Sequence, residues 1–217
     1  MGIKTFNNLN PKKQNNIFRI ALVEFSDKGY AKASINDMVE RLGIAKGSIF
    51  QYFGDKQGLF NFVFAKALTM VKEHFRRVRE ETENLDFFTR FETILVSGVG
   101  FVRKNPRIYA LYTKIQFEGK LAFCSHLITS LRRDSFEYLS DFIKTGIKKR
   151  ELSPDLDLAR TSFLLDAVLD RFLQAYMLEH LDAGQGLFRA DQGTTRERAR
   201  QVVEMIRQGL ESREHRE

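Results

Sequence analysis

The sequence predicts an all-α protein of about nine helices, and three observations support this fold class. Only three of the 217 residues are proline, so long segments contain no helix breaker. Apolar residues recur at spacings of three and four in successive segments, and no segment shows the two-residue alternation of a half-buried strand. The hydrophobic fraction is 43% and includes 20 phenylalanines, which is enough apolar bulk for a packed core.

The chain is expected to begin with a loose polar arm followed by an amphipathic helix. Residues 1–11 are polar and rich in asparagine, and they end at Pro11. From Lys12 onward apolar residues recur with helical spacing until Gly29, where we expect the helix to end. The apolar positions of this helix are Ile17, Phe18, Ala21, Leu22 and Phe25.

Two short helices joined by a tight turn are predicted next. Ser34 is a suitable N-cap for the second helix because an acidic residue, Asp37, follows three positions later. Gly43 ends that helix, and residues 45–53 form a third helix of about two and a half turns. A supporting helix followed by two short helices and a glycine turn is an arrangement in which the last helix can enter a DNA major groove.

Six further helices are predicted after Gly54. Asp55 caps the first of them, Pro106 separates two others, and a loop containing Gly193 precedes the last. The predicted ranges are 56–83, 86–105, 106–117, 121–149, 157–181 and 195–212. We expect residues 1–60 to form a DNA-binding domain and residues 61–217 to form a second helical domain.

The distribution of charge favours a polyanionic partner for the N-terminal domain. The whole chain carries a formal net charge of +7. The first 60 residues contain nine Lys or Arg and five Asp or Glu, which gives +4 and leaves +3 for the other 157 residues. A basic N-terminal module is typical of proteins that bind double-stranded DNA.

Several classes of protein are not expected. The single cysteine, Cys124, cannot form an internal disulfide, and no signal peptide or membrane-spanning apolar segment is found, so we expect a cytoplasmic protein that makes no membrane contact. Neither a nucleophile elbow nor a zinc motif occurs, and residues 54–58 lack the Lys-Ser/Thr ending of a phosphate-binding loop. We therefore expect no enzyme, no cofactor and no metal; the histidines, none in zinc spacing, are His74, His126, His180 and His215.

The N-terminal residues also form a recognisable signature. It consists of Phe25, Gly29, Tyr30, Ser34, Ile35, Asp37, residues 42–44 and 46–50, Tyr52, Phe53, Lys56 and Leu59. This pattern resembles the N-terminal signature of the TetR family of transcriptional regulators over residues 12–60. Elsewhere the resemblance is limited to helix count, length and the pattern around Gly146, residues 150–152 and residues 154–155.

The resemblance and the residue chemistry together predict phosphate contacts at the edges of the short helices. Tyr52 and Lys56 flank the end of the third helix, where a phenol and an ammonium can reach phosphates, and the resemblance makes them a phosphate clamp. Ser34 is expected to cap the second helix and to face a phosphate oxygen together with the free amides of that helix end.

Base reading is expected from the exposed N-terminal half of the third helix. Lys46 can donate to guanine, Gln51 can pair with adenine, and Gly47 allows close approach of the backbone. Asn36 matches a position that often touches a base in this family. The predicted contact surface is completed by Ser48 and Phe50.

One departure and one alternative accompany this prediction. Ala45 stands where family members often have Ser or Thr, so the third helix lacks a side-chain cap worth about 1 kcal/mol. The alternative is that residues 12–60 form a purely structural three-helix bundle whose polar side chains are an ordinary solvated face.

The last two predicted helices are expected to form a homodimer interface. The last helix has an apolar stripe, and the helix before it is apolar around much of its circumference. In the family resembled, these helices of two subunits form a four-helix interface, and a twofold dimer suits a palindromic operator. The alternative is that they only complete the core of one subunit. The stripe residues of the last helix are Ala199, Val202, Val203, Ile206 and Leu210.

A small-molecule pocket in the second domain is implied by the resemblance. Asp166 and Asp170 lie one turn apart in an apolar helix; a solvent-facing position is the favoured interpretation, and a cavity that binds a cationic or hydroxylated effector is the alternative. The middle of the long helix after Asp55 is where a pocket would meet the link between the domains, at Phe62, Ala65, Thr69 and Met70. The remaining predicted lining residues are Phe101, Tyr109, Tyr112, Phe117, Phe136, Phe172 and Tyr176.

These inferences predict a ligand-responsive transcriptional regulator. We expect a repressor that binds a palindromic operator as a dimer and is released by a small, largely apolar effector. The alternatives are an activator and an architectural DNA-binding protein that senses no ligand. The second is disfavoured because about three quarters of the chain lies outside the DNA-reading module.

Overall fold

The computed structural model describes residues 6–117 and 122–210 of the chain. Within these ranges the chain forms nine α-helices of eight residues or more and no β-strand, which confirms the predicted fold class. The helices are α1 (Pro11–Lys32), α2 (Ile35–Leu42), α3 (Lys46–Phe53), α4 (Lys56–Glu81), α5 (Phe87–Lys104), α6 (Pro106–Phe117), α7 (Ala122–Lys148), α8 (Leu158–Met177) and α9 (Gln192–Leu210), with a 3-10 turn at Glu179–Leu181.

The first helices begin and end where local chemistry requires. The side chain of Asn10 accepts a hydrogen bond from the amide of Lys12 at the start of α1. Gly29 has φ 71° and ψ 172°, so regular helix geometry breaks there, and a further turn continues to Lys32. Gly43 closes α2 with φ 63°, a left-handed conformation that glycine adopts without steric cost.

Several helix boundaries differ from the predicted ones, and two of the differences have a clear local cause. Helix α8 ends at Met177 rather than at Leu181, because Leu178 is extended and the chain then forms the 3-10 turn. Helix α9 begins at Gln192 rather than at Thr195, because Asp191 caps it and accepts the amide of Thr194 at 2.8 Å. The predicted end of this helix at Ser212 lies outside the described residues.

The chain folds into two compact units, of which the first contains the short helices. This first unit consists of the described residues up to Glu73 together with Asn105–His126. Helix α1 packs against α2 and α6, and an ion pair between Arg107 and Asp27 joins α6 to α1. Phe25 and Phe60 are fully buried and meet edge to face with ring centroids 4.9 Å apart.

The second unit is built around α5. It consists of His74–Lys104 and the described residues from Leu127 onward, and α5 packs against both α8 and α9. Phe87 of α5 stacks on Phe142 of α7 at 4.3 Å between centroids. Helix α4 is continuous and contributes residues to both units, so the compact units divide the chain differently from the expected functional boundary at residue 60, which stays a prediction.

Candidate nucleic-acid interface

The helices α2 and α3 bury one side and expose the other. Met38 of α2 and Ile49 of α3 are fully buried on the inner side of the pair. Asn36, Lys46 and Gln51 are exposed on the outer side. The structure therefore leaves the three side chains that we expect to read bases open to solvent.

The N-terminal end of α3 is open, as base reading requires. Ala45 stands at the N-cap position and makes no side-chain capping bond, as expected from its methyl side chain. Gly47 is exposed, and a Cβ atom placed on it would meet no atom within 4 Å. Nothing within the subunit therefore requires glycine at this position, and the space in front of the backbone is free. Ser48 is half-buried.

Phe50 gives the outer face of α3 an apolar element. It is one of the large hydrophobic side chains that the chain exposes, at 41% of its full surface. The ammonium of Lys46 lies 5.9 Å from the centroid of its ring. A cation and an exposed aromatic ring thus lie side by side on the surface that is expected to face DNA.

Ser34 caps α2, as predicted, and its hydroxyl is already engaged. Its Oγ accepts the amide of Asp37 at 3.2 Å and donates to Oδ1 of Asp37 at 2.8 Å. Asp37 also forms an ion pair with Lys28, and the hydrogen bonds from Lys28 and Ser34 lower the pKa of its carboxyl group. A phosphate contact from Ser34 would require the hydroxyl to turn away from this carboxylate.

Glu24 ties α1 to the start of α2, and it was not singled out from the sequence. The side chain is buried, and its Oε1 accepts the amide of Ser34 at 3.0 Å. Lys28 lies 2.8 Å from Oε1 and Arg41 lies 3.8 Å from Oε2. Glu24 falls on the same helical period as the apolar stripe of α1. A carboxylate at a core position was therefore the sequence feature that could have identified it.

The two residues of the predicted phosphate clamp are only partly open. The ammonium of Lys56 donates to the carbonyl of Ala31 at 3.1 Å and lies 4.9 Å from the ring centroid of Tyr30, and desolvation lowers its pKa. An ammonium has three protons, so this contact is compatible with a further bond to phosphate. Tyr52 is only 7% exposed, with its ring against Phe6, so only its hydroxyl can serve such a contact.

The residues predicted to line a ligand pocket belong to two different compact units. Phe62, Met70, Tyr109 and Tyr112 belong to the first unit, and the ring of Phe62 packs with the rings of other N-terminal phenylalanines. The remaining described residues belong to the second unit, where Phe136 is exposed and the aromatic others are buried. They are Phe101, Phe136, Asp166, Asp170, Phe172 and Tyr176. The side chain of Phe117 lies outside the described part of the chain.

The two aspartates of α8 are half-buried rather than solvent-facing. Arg132 of α7 bridges them, with Nη1 at 3.0 Å from Asp166 and Nη2 at 3.1 Å from Asp170. Ser135 donates to Asp166 and Gln174 donates to Asp170. The favoured interpretation was wrong because the counter-charge comes from a residue distant in sequence, and a cationic ligand would have to displace Arg132.

Residues 6–117 and 122–210 contain neither a membrane-spanning helix nor a metal-binding cluster. No helix there is long and apolar enough to cross a membrane. No group of three or more His, Cys, Asp or Glu side chains is placed there to hold a metal ion.

Two family models match the chain, one in its N-terminal part and one in its C-terminal part. Residues 17–63 match the model described as bacterial regulatory proteins, tetR family. Residues 85–211 match the model of the tetracyclin repressor-like C-terminal domain. The first match covers α2 and α3 completely, and the second covers most of the second unit.

Individual proteins show the same similarity. A probable acrEF/envCD operon repressor of Escherichia coli is 21% identical over 185 residues, which are 82% of this chain and 81% of that protein. The crystal structure of a TetR family transcriptional regulator from Chloroflexus aurantiacus is 27% identical, has a TM-score of 0.72 and covers 97% of this chain and 98% of that one. The transcriptional regulator FadR from Bacillus subtilis, in complex with stearoyl-CoA, has a TM-score of 0.67 at 13% identity and covers 87% of this chain and 96% of that one.

Proposed function

Because the chain belongs to the TetR family of transcriptional regulators, we propose that it represses genes by binding a palindromic operator as a homodimer, and that a small, largely apolar effector releases it. The helix-turn-helix and DNA-binding assignments follow from the family. The operator, the dimer and the effector are our proposal. The observation that carries it is the exposed outer face of α3.

Base reading is supported by the side chains on that face. Lys46 can donate to the guanine edge and Gln51 can form a bidentate pair with adenine, which are common pairings in the major groove. Phe50 adds an exposed apolar surface that can contact a thymine methyl group. Lys56 and the hydroxyls of Ser34 and Tyr52 would contact phosphates, which fix the register without reading the sequence.

Dimerisation is supported by apolar side chains that α8 and α9 leave exposed. Phe163 of α8 is 73% exposed, its neighbour Leu164 is also exposed, and Met205 of α9 is 75% exposed. The opposite sides of the same helices, at Phe172 and Val203, are buried in the subunit. Both helices therefore have an inner apolar side that completes the core; α8 also has an outer apolar side that a second copy can cover, and Met205 adds one exposed apolar side chain on α9.

Release by an effector is supported by the continuity of α4. This helix has 26 residues and is about 39 Å long at 1.5 Å per residue. It begins at Lys56, beside α3, so a displacement of its far end by a ligand would move the DNA-contacting end. A coupling free energy of about 1–3 kcal/mol between the two sites is sufficient for release. Bound DNA must then weaken ligand binding by the same factor as the ligand weakens DNA binding. FadR, which has a similar fold, was crystallised with stearoyl-CoA, and the nature of that ligand supports a partly apolar effector.

The test combines sedimentation with fluorescence anisotropy on a labelled duplex that carries the preferred binding sequence. We expect two chains per duplex, and we expect at least one compound from a small-molecule library to lower the affinity for DNA. A single chain bound without sequence preference, and unaffected by every compound, would support the architectural alternative instead.

A further inference from the structure

Arg90 is a buried cation to which the described residues offer no hydrogen-bond acceptor. It lies in the first turn of α5 and is only 8% exposed. Its Nε is enclosed and makes no hydrogen bond, and no carboxylate of the described residues lies within ion-pair distance of its guanidinium group. Burial of a charge without a partner is unfavourable, so this arrangement needs an explanation.

The carboxylates near the start of α5 are committed to its backbone. Asp86 accepts the amides of Phe88 and Thr89 at 3.0 and 3.1 Å. Glu151 accepts the amide of Phe87 at 2.9 Å. These are bonds to the free amides of a helix N-terminus, and neither carboxylate forms an ion pair with Arg90.

Other donors surround the same point. The guanidinium of Arg90 lies 5.0 Å from the ring centroid of Phe142, and Tyr138 lies one turn earlier on α7. Burial raises the pKa of the Tyr138 hydroxyl, while the positive charges of Arg90 and Arg79 act in the opposite direction. One guanidinium group and one phenol therefore lie on neighbouring helices of the second unit, around the ring of Phe142.

The terminal nitrogens of Arg90 remain accessible. Nη1 and Nη2 have no acceptor among the described residues either, but unlike Nε they are not enclosed. Together they form the planar fork that binds both oxygens of a carboxylate. Asp166 and Asp170 of α8 are not free in this way, because both already form ion pairs with Arg132.

We infer that Arg90, assisted by Tyr138, binds the carboxylate of the effector, so that the effector is an amphipathic monoanion. One buried positive charge is balanced by one negative charge, which favours a carboxylate over a phosphate dianion. This inference rests on the proposed function, because it specifies the chemical class of the ligand that releases the operator.

The test uses the full chain and two probes of equal length, decanoate and decanol, with binding measured by calorimetry. We expect R90M to lower the affinity for decanoate about tenfold or more, because a charged hydrogen-bonded pair is lost. The affinity for decanol should stay unchanged. The matched control is R103M, which removes an exposed arginine from the same helix and should change neither probe. Y138F should weaken decanoate by a smaller factor and serves as the test if R90M does not fold.

The melting temperature gives an independent readout. Without ligand, R90M should melt at the same temperature as the wild type or higher, because an unpaired buried charge is removed. A large fall in the melting temperature of R90M would show that Arg90 also supports the fold, and Y138F would then decide the test. The inference is overturned if wild type fails to bind decanoate, if R90M and Y138F bind it unchanged, or if inorganic phosphate displaces decanoate at equal concentration. Arg90-dependent binding of decanoate that leaves operator affinity unchanged would contradict the proposed release mechanism and not the carboxylate site.

Discussion

Removal of the Glu24 side chain should loosen the helix-turn-helix without touching any residue that faces DNA. In Glu24→Ala the amide of Ser34 loses its acceptor, which costs about 1–3 kcal/mol for a buried donor. Lys28 and Arg41 also lose an ion-pair partner, but their side chains are 42% and 44% exposed, so solvent limits the two pairs together to about 1 kcal/mol. The expected loss of stability is therefore about 2–4 kcal/mol.

Urea unfolding followed by circular dichroism measures this loss, and hydrogen exchange at the amides of α2 locates it. Glu24→Gln separates the two contributions, because it keeps an acceptor for Ser34 and removes the charge, and it should cost about 1 kcal/mol. Glu40→Ala, which removes an exposed glutamate from α2, is the matched control and should change stability by less than about 0.5 kcal/mol. A Glu24→Ala protein as stable as this control, with unchanged exchange in α2, would refute the reasoning.

Three further predictions concern DNA, assembly and pH. Lys56→Ala should weaken binding to all DNA sequences alike and reduce the slope of affinity against salt by about one, and a loss confined to one sequence would contradict a phosphate contact. Phe163→Asp combined with Met205→Asp should give monomers in sedimentation experiments because it places charges on the exposed apolar sides of α8 and α9; a persistent dimer would exclude this interface. Burial lowers the pKa of His74, which lies 2.8 Å from the Ser97 hydroxyl, so its contribution to stability is complete above the unfolded pKa of 6.5 and is lost as the pH falls below it. The melting temperature should therefore decrease below pH 6.5, and His74→Gln should make this decrease smaller. An unchanged pH profile of the variant would contradict the assignment to His74.

Features that depend on local chemistry were predictable from the sequence. Ser34 was identified as a cap because its acidic partner is three residues away, and Gly43 as a terminator because it can adopt a left-handed conformation. The boundaries of α2 follow from these two residues. The end of α8 was missed because Leu178, an apolar residue that continues the helical pattern, adopts an extended conformation.

Features that depend on distant partners were not predictable. The charge of Asp166 is balanced by Arg132, which is 34 residues away on another helix. The ring of Tyr52 packs against Phe6, a residue of the segment that was expected to be a loose arm. Glu24 and Arg90 are charges on apolar faces. Spacing alone does not reveal that Glu24 has ion-pair partners and that Arg90 has no acceptor in the part of the chain that the structure describes.

The most direct test of the central claim is selection of binding sites from random duplex DNA by the wild type and by Lys46→Ala, followed by sequencing. If the outer face of α3 reads bases in a twofold dimer, the wild type should select a palindrome whose half-sites are about 34–36 Å or a multiple apart. Lys46→Ala should lose preference, by about 1–3 kcal/mol, at one base pair that occurs symmetrically in both half-sites. Selection of the same palindrome by both proteins, or of no palindrome by the wild type, would contradict the account.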